Sequence, residues 1–234
     1  MSWKAEDFDS EWSYDELATK FELRKDKAAL LVIDIQKGDL VKDSQSEYGI
    51  KYPHIVEYWN TRISDFVIPN TSKLISFFRE LGLPVIYTRN GAITPNGKEM
   101  AKRLRKFTKD TPVSGYLNSA RFRGKDSYEI ADQIRPVENE LVIDKLTSGA
   151  FNFSILDHAL RNMKVEDIVI AGILTDMCVL GTARVASELG YNSVISEDAC
   201  ATLTQRAHID ALMVHARCFG RVETADDIII ELSE

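Results

Sequence analysis

The chain has 234 residues, 44% of them hydrophobic and 28% charged, with 6 Pro and 12 Gly; this profile excludes a disordered or fibrous protein. A formal charge of -7 argues against nucleic-acid binding, which draws its affinity from clustered Lys and Arg. No apolar run reaches the roughly 18 residues that a bilayer span needs, and three cysteines make no disulfide framework and fit a reducing, cytoplasmic setting.

Residues 1–25 are acidic, aromatic and interrupted by charge, so neither a signal peptide nor an anchor is expected. They read as an N-terminal arm whose Trp3, Phe8, Trp12, Tyr14 and Phe21 suit docking on the body or on a neighbouring subunit. Residues 26–234 hold no repeat, low-complexity tract or linker and read as one domain. Apolar runs follow at 29–35 (ALLVIDI), 83–88 (LPVIYT), 141–144 (LVID), 167–172 (DIVIAG), 193–196 (SVIS) and 227–232 (DIIIEL). Their hydrophobicity is continuous, not alternating, which predicts parallel strands covered on both faces. Residues 45–66 form a Tyr- and Trp-containing insertion, a candidate lid or contact surface. Apolar spacing predicts helices over 70–81, 154–163 and 179–189, with Gly82 and Gly190 as exits. The stretch 98–109 carries six basic residues against one acid and reads as a solvated helix face or an anion-attracting rim. Strands alternating with helices predict a doubly wound, three-layer α/β sandwich.

In such sheets ligands collect beyond the carboxyl ends of the strands, where the winding reverses. Asp34 closes the first predicted strand, Lys145 follows the third, and Cys178 lies a short turn after the fourth. Each alone has an ordinary reading: a helix cap, a solvated lysine, a small core hydrophobe. Together they offer a thiol nucleophile a proton acceptor and a neighbouring ammonium, at a helix start that favours thiolate. A depressed Cys178 pKa is therefore expected. Cys200 and Cys218 lack such company and read as structural.

The segments LVIDIQ with Asp34, VIDKLTSGAF with Lys145 and IAGILTDMCV with Cys178, followed by SEDACAT, resemble the signature segments of the isochorismatase-like cysteine hydrolases. That superfamily includes nicotinamidase, N-carbamoylsarcosine amidohydrolase, ureidoacrylate amidohydrolase and biuret hydrolase. The similarity runs in order from about Lys27 to Leu232. It implies a six-stranded parallel sheet of order 3-2-1-4-5-6 and a catalytic triad of Asp34, Lys145 and Cys178. It also implies a cis peptide between Ile173 and Leu174, and an oxyanion hole made by the backbone N–H groups of Leu174 and Cys178. The activity implied is cleavage of a C–N bond in a small amide, ureide or carbamoyl compound through a Cys thioester, in a homodimer or homotetramer.

Departures narrow the substrate. Nicotinamidases bind a metal through an Asp-x-His pair and further histidines between the first two strands, where this chain has only His54; no metal or other cofactor is expected, and a nicotinamidase-type hydrolase is the lesser reading. True isochorismatases lack the cysteine nucleophile, so Cys178 argues against vinyl-ether cleavage. Gln36, Arg89, Asn90, Phe151 and His215 are the candidate substrate contacts. For Arg89 a clamp on a substrate carboxylate or carbonyl stands beside an exposed side chain at an Asn-Gly turn; Phe151 and Phe153 read as pocket wall, with core packing the competing reading for Phe153, and a satisfied surface or core group competes for His215. A catalytically silent ligand- or partner-binding member of the same fold is the alternative from another class. A dinucleotide oxidoreductase is not supported, because no G-x-G-x-x-G follows the first strand.

Overall fold

The computed structural model describes residues 2–13, 18–95, 97–101 and 122–234. Strands β1 (Ala28–Ile33), β2 (Val85–Asn90), β3 (Leu141–Lys145), β4 (Asp167–Ile173), β5 (Asn192–Ala201) and β6 (Arg221–Glu223) form one parallel sheet of order β3-β2-β1-β4-β5-β6. The helices are α1 (Glu47–Lys51), α2 (Pro53–Arg62), α3 (Ile68–Glu80), α4 (Leu156–Asn162), α5 (Leu180–Glu188), α6 (Gln205–Cys218) and α7 (Ala225–Ser233).

The central strand shows why its hydrophobicity is unbroken. Ala28, Leu30 and Val32 enter the core layer shared with α3 and α7, whereas Ala29, Leu31 and Ile33 enter the layer shared with α4, α5 and α6. Both faces of the pleat are dry, and each fully buried Leu, Ile or Val there contributes on the order of 1.5–3 kcal/mol. Chain order runs outward from β1 in one direction and from β4 in the other, so the winding reverses between these two strands and opens a crevice at their carboxyl ends. Gly172 permits the close approach there: its φ is 138°, and a Cβ would lie 2.2 Å from the Ile33 carbonyl oxygen.

One expectation is corrected. The run 227–232 is helical, lying within α7: Thr224 caps it by accepting from the Asp227 N–H, and Ala225, Ile228 and Leu232 are buried at helical spacing while Ile230 faces out. The sixth strand is Arg221–Glu223, three residues with one buried side chain at the sheet edge, too short and polar to register as an apolar run. Residues 45–66 are continuous with the body, since α2 passes through a single π-helical turn (Ile63–Val67) straight into α3 and Trp59 is buried, its indole N–H donating to the Asp39 carbonyl at 2.8 Å.

The arm packs on the body. Trp3 and Trp12 lie against one core layer and Phe21 against the other, and Arg24 holds the buried Asp167 through contacts of 2.6 and 3.0 Å. Tyr14 and residues 102–109 of the basic stretch lie outside the described residues. Among those described, no helix is long and apolar enough to cross a membrane.

Candidate active site

Four adjacent strand ends supply the site. Asp34 leaves β1 in the left-handed conformation, φ 54°, which Asp tolerates better than most residues but at a cost. Its backbone N–H donates to the Thr88 carbonyl at 3.2 Å, and the Thr88 hydroxyl donates to Asp34 Oδ1 at 2.6 Å. The Lys145 Nζ lies 2.7 Å from Asp34 Oδ2. It also donates to the carbonyls of Thr147 and Ser148 at 2.9 and 2.8 Å and reaches Cys178 Sγ at 3.5 Å. An ammonium has three hydrogens; with two given to backbone carbonyls, the third is shared between carboxylate and sulfur. Exposures of 3% for Asp34, 2% for Lys145 and 8% for Cys178 put all three out of bulk water.

Burial decides the protonation states. It pulls the Lys145 ammonium down, yet the Asp34 carboxylate and the sulfur outweigh it, so its pKa ends raised and the lysine stays charged. The thiol goes the other way from expectation. Burial pushes Cys178 up to about 12, Lys145 opposes that only in part, and Asp34 adds to it. Burial thus favours the neutral thiol, and the Lys145 ammonium favours the thiolate.

Cys178 sits in a single π-helical turn, Thr175–Val179, that precedes α5; the Ile173–Leu174 peptide is cis. The fully buried Thr182 stitches this turn to the lysine loop: its hydroxyl donates to the Cys178 carbonyl at 2.6 Å and accepts from the Ala150 N–H at 3.0 Å. Thr88 and Thr182 are site residues that the sequence reading missed. Thr88 closes the apolar run 83–88, and the strand register sets it beside Ile33.

A family model described as "Isochorismatase domain" matches residues 28–227. The chain belongs to the isochorismatase family. It is 29% identical over 181 residues to the ureidoacrylate amidohydrolase RutB of Pseudomonas savastanoi pv. phaseolicola, covering 71% of each chain. Among solved structures it resembles a cysteine hydrolase from Pseudomonas syringae pv. phaseolicola (TM-score 0.73, 21% identity, 92% of this chain and 97% of that one). It also resembles the N-carbamoylsarcosine amidase of Thermoplasma acidophilum (TM-score 0.61, 24% identity, 86% and 97%).

Within this isochorismatase-family site, the five expected substrate contacts have other partners. Gln36 is fully buried and spent on backbone, donating to the Tyr128 carbonyl at 2.6 Å and accepting from the Asn90 N–H at 2.9 Å. The Asn90 amide donates to the Thr147 carbonyl at 3.0 Å and so braces the lysine loop. Arg89 pairs with Asp144 at 2.7 Å and Glu129 at 2.5 Å, in a groove of about 390 Å³ shared with Lys37, Asp132 and Arg135; its charge is already answered. Phe151 packs in the core, 5.8 Å from the Tyr191 ring. His215 lies at the wrong end of the sheet: its Nε2 faces the Ser193 carbonyl at 3.3 Å, and Ser193 pairs with Ile168, five residues or about 17 Å of strand short of Ile173. Strand position fixes the end of the sheet at which Gln36, Arg89 and Asn90 lie, but not the direction in which each side chain finds its partner. Among the described residues no group of three or more His, Cys, Asp or Glu could hold a metal ion.

Proposed function

We propose that the protein is a cysteine amidohydrolase that cleaves a C–N bond of a small amide or ureide by two-step acyl transfer. The observation that carries this reading is the buried meeting of Asp34, Lys145 and Cys178, with the ammonium 2.7 Å from the carboxylate and 3.5 Å from the sulfur. In the first step Cys178 Sγ bonds to the carbonyl carbon as Asp34 takes the thiol proton; the C–N bond then breaks and Asp34 passes that proton to the departing nitrogen. A water, deprotonated by Asp34, opens the thioester and releases the acid, and the proton returns to sulfur. The carbonyl oxygen is held during attack by the backbone N–H groups of Leu174 and Cys178, a pair of donors whose loss would cost about a hundredfold or more. Burial that raises the Cys178 pKa suits this scheme, in which the proton passes to Asp34 as the sulfur attacks. The likeness to an enzyme named for ureidoacrylate and to one named for N-carbamoylsarcosine supports a ureide or carbamoyl substrate.

The body 26–234 acts as one hydrolase domain with 1–25 as its docked arm, and all three cysteines are free, which suits the cytoplasm. Exposed Phe153, Val41 and Ile50 support a homodimer or homotetramer, to be read by light scattering. The test of the chemistry is an ammonia-release screen over ureides, carbamoyl compounds and small primary amides. Wild type should turn over at least one, with the acyl-enzyme visible by mass. Ordinary rates from Cys178→Ser and Cys178→Ala would end the covalent scheme.

A further inference from the structure

A second buried cluster stands behind the nucleophile turn and has no part in the chemistry above. His208, on α6 and 1% exposed, places Nδ1 2.8 Å from the hydroxyl of the fully buried Thr175, the residue that opens the Cys178 turn. Its Nε2 lies 3.0 Å from Arg62 Nη2 and 3.7 Å from Glu197 Oε2. Arg62, from the end of α2, also donates to the Glu197 carbonyl at 2.6 Å, to Glu197 Oε2 at 3.0 Å and to the Cys200 carbonyl at 3.1 Å.

The tautomer follows from what each group can do. Arg62 Nη2 has two hydrogens for three acceptors, the Glu197 carbonyl, Glu197 Oε2 and His208 Nε2, so one hydrogen is shared; because a guanidinium only donates, a proton on Nε2 would face that nitrogen unanswered, with the Glu197 oxygen 3.7 Å away. The ring proton is therefore on Nδ1 and is donated to Thr175 Oγ1. Burial holds the His208 pKa below its ordinary value, in keeping with a neutral ring.

We propose that His208 is a positioning residue for the nucleophile: Arg62 fixes its proton on Nδ1, and that proton pins Thr175 and thereby the turn that presents Cys178. The role rests on Cys178 being the nucleophile. A sulfur displaced by about 1 Å loses about a hundredfold in rate, so the pin acts on kcat with little effect on KM.

The experiment compares His208→Leu, His208→Asn, Thr175→Val and Arg62→Leu in the full chain. The amide N–H of Asn can stand where Nδ1–H stood, whereas Leu offers no donor. Expected are losses in kcat of about 10- to 100-fold for His208→Leu and Thr175→Val at unchanged KM. His208→Asn should recover most of that loss, and the Thr175→Val/His208→Leu double variant should be no worse than either single. Independently of any substrate, imidazole nitrogen NMR of wild type should show His208 protonated on Nδ1 alone, and Arg62→Leu should move the proton to Nε2. Alkylation of Cys178 in a Cys218→Ser background gives the same ranking without turnover. A proton on Nε2 in wild type, or a folded His208→Leu whose kcat and alkylation rate match wild type, overturns the proposal; should His208→Leu not fold, Thr175→Val decides. Absence of turnover in wild type, with the tautomer as expected, would count against the enzymatic reading and leave the pinning of the turn to the alkylation data.

Discussion

Replacing Lys145 by Met tests the site through stability as well as rate. The variant keeps the chain length of the side chain but leaves the Asp34 carboxylate, 3% exposed, without the ammonium 2.7 Å away. Removing one partner of a buried ion pair costs about 3–5 kcal/mol, because the other charge stays desolvated. For a domain of this size each kcal/mol lowers Tm by about 2–4 °C, so the expected fall is roughly 6–20 °C. The double variant Asp34→Asn/Lys145→Met has no orphaned charge and should regain at least half of the loss. The sign with pH is fixed by the raised Lys145 pKa: the pair's contribution is complete below the unfolded lysine value near 10.5 and disappears as pH rises through the higher folded value. Wild type and variant should thus differ most at neutral pH and converge in strong alkali. Thermal and urea unfolding across pH 6–11 measures this. A single-variant cost below about 1 kcal/mol, or a double variant less stable than the single, would refute the buried-pair argument.

Thr182→Val keeps the volume but strands the buried Ala150 N–H and Cys178 carbonyl; about 2–4 kcal/mol of stability should be lost by urea titration, with Thr182→Ser close to wild type. Thr88→Val removes the donor to Asp34 Oδ1, a hydrogen bond to a charged group worth about 1.5–3 kcal/mol, and kcat should fall by about 10- to 100-fold. His215 is buried and resists protonation down to about 4, against an ordinary 6.5. The unfolded chain takes up that proton first, so stability present above about pH 6.5 falls as pH drops towards 4. A gap of about 2.5 pH units at about 1.36 kcal/mol each makes the loss about 3 kcal/mol. His215→Leu should flatten that acid limb in urea titrations between pH 7 and 4.

Patterning carried the sheet because burial on two faces writes itself into a strand as an unbroken apolar run, as in ALLVIDI and DIVIAG. The same rule misled at DIIIEL, where three consecutive isoleucines fill a helix that buries Ile228 and Leu232 and turns Ile230 outward; six residues are too few for the two periods to separate. Asp34, Lys145 and Cys178 were legible because strand ends are visible in sequence and their chemistry is distinctive. Gln36, Arg89 and Asn90 were not, since their partners Tyr128, Glu129 and Thr147 come from distant loops. The upward push of burial on the Cys178 pKa was not legible for a related reason: charge neighbours can be guessed from a triad, whereas depth of burial is a property of the packed whole.

The grip on Lys145 is made by main-chain oxygens of residues 147 and 148. The hold on the ammonium therefore depends on where the main chain of this loop runs, which its length sets directly. Alanine at both positions should leave the ammonium held, whereas deleting one residue between 145 and 150 would shift both oxygens away from it.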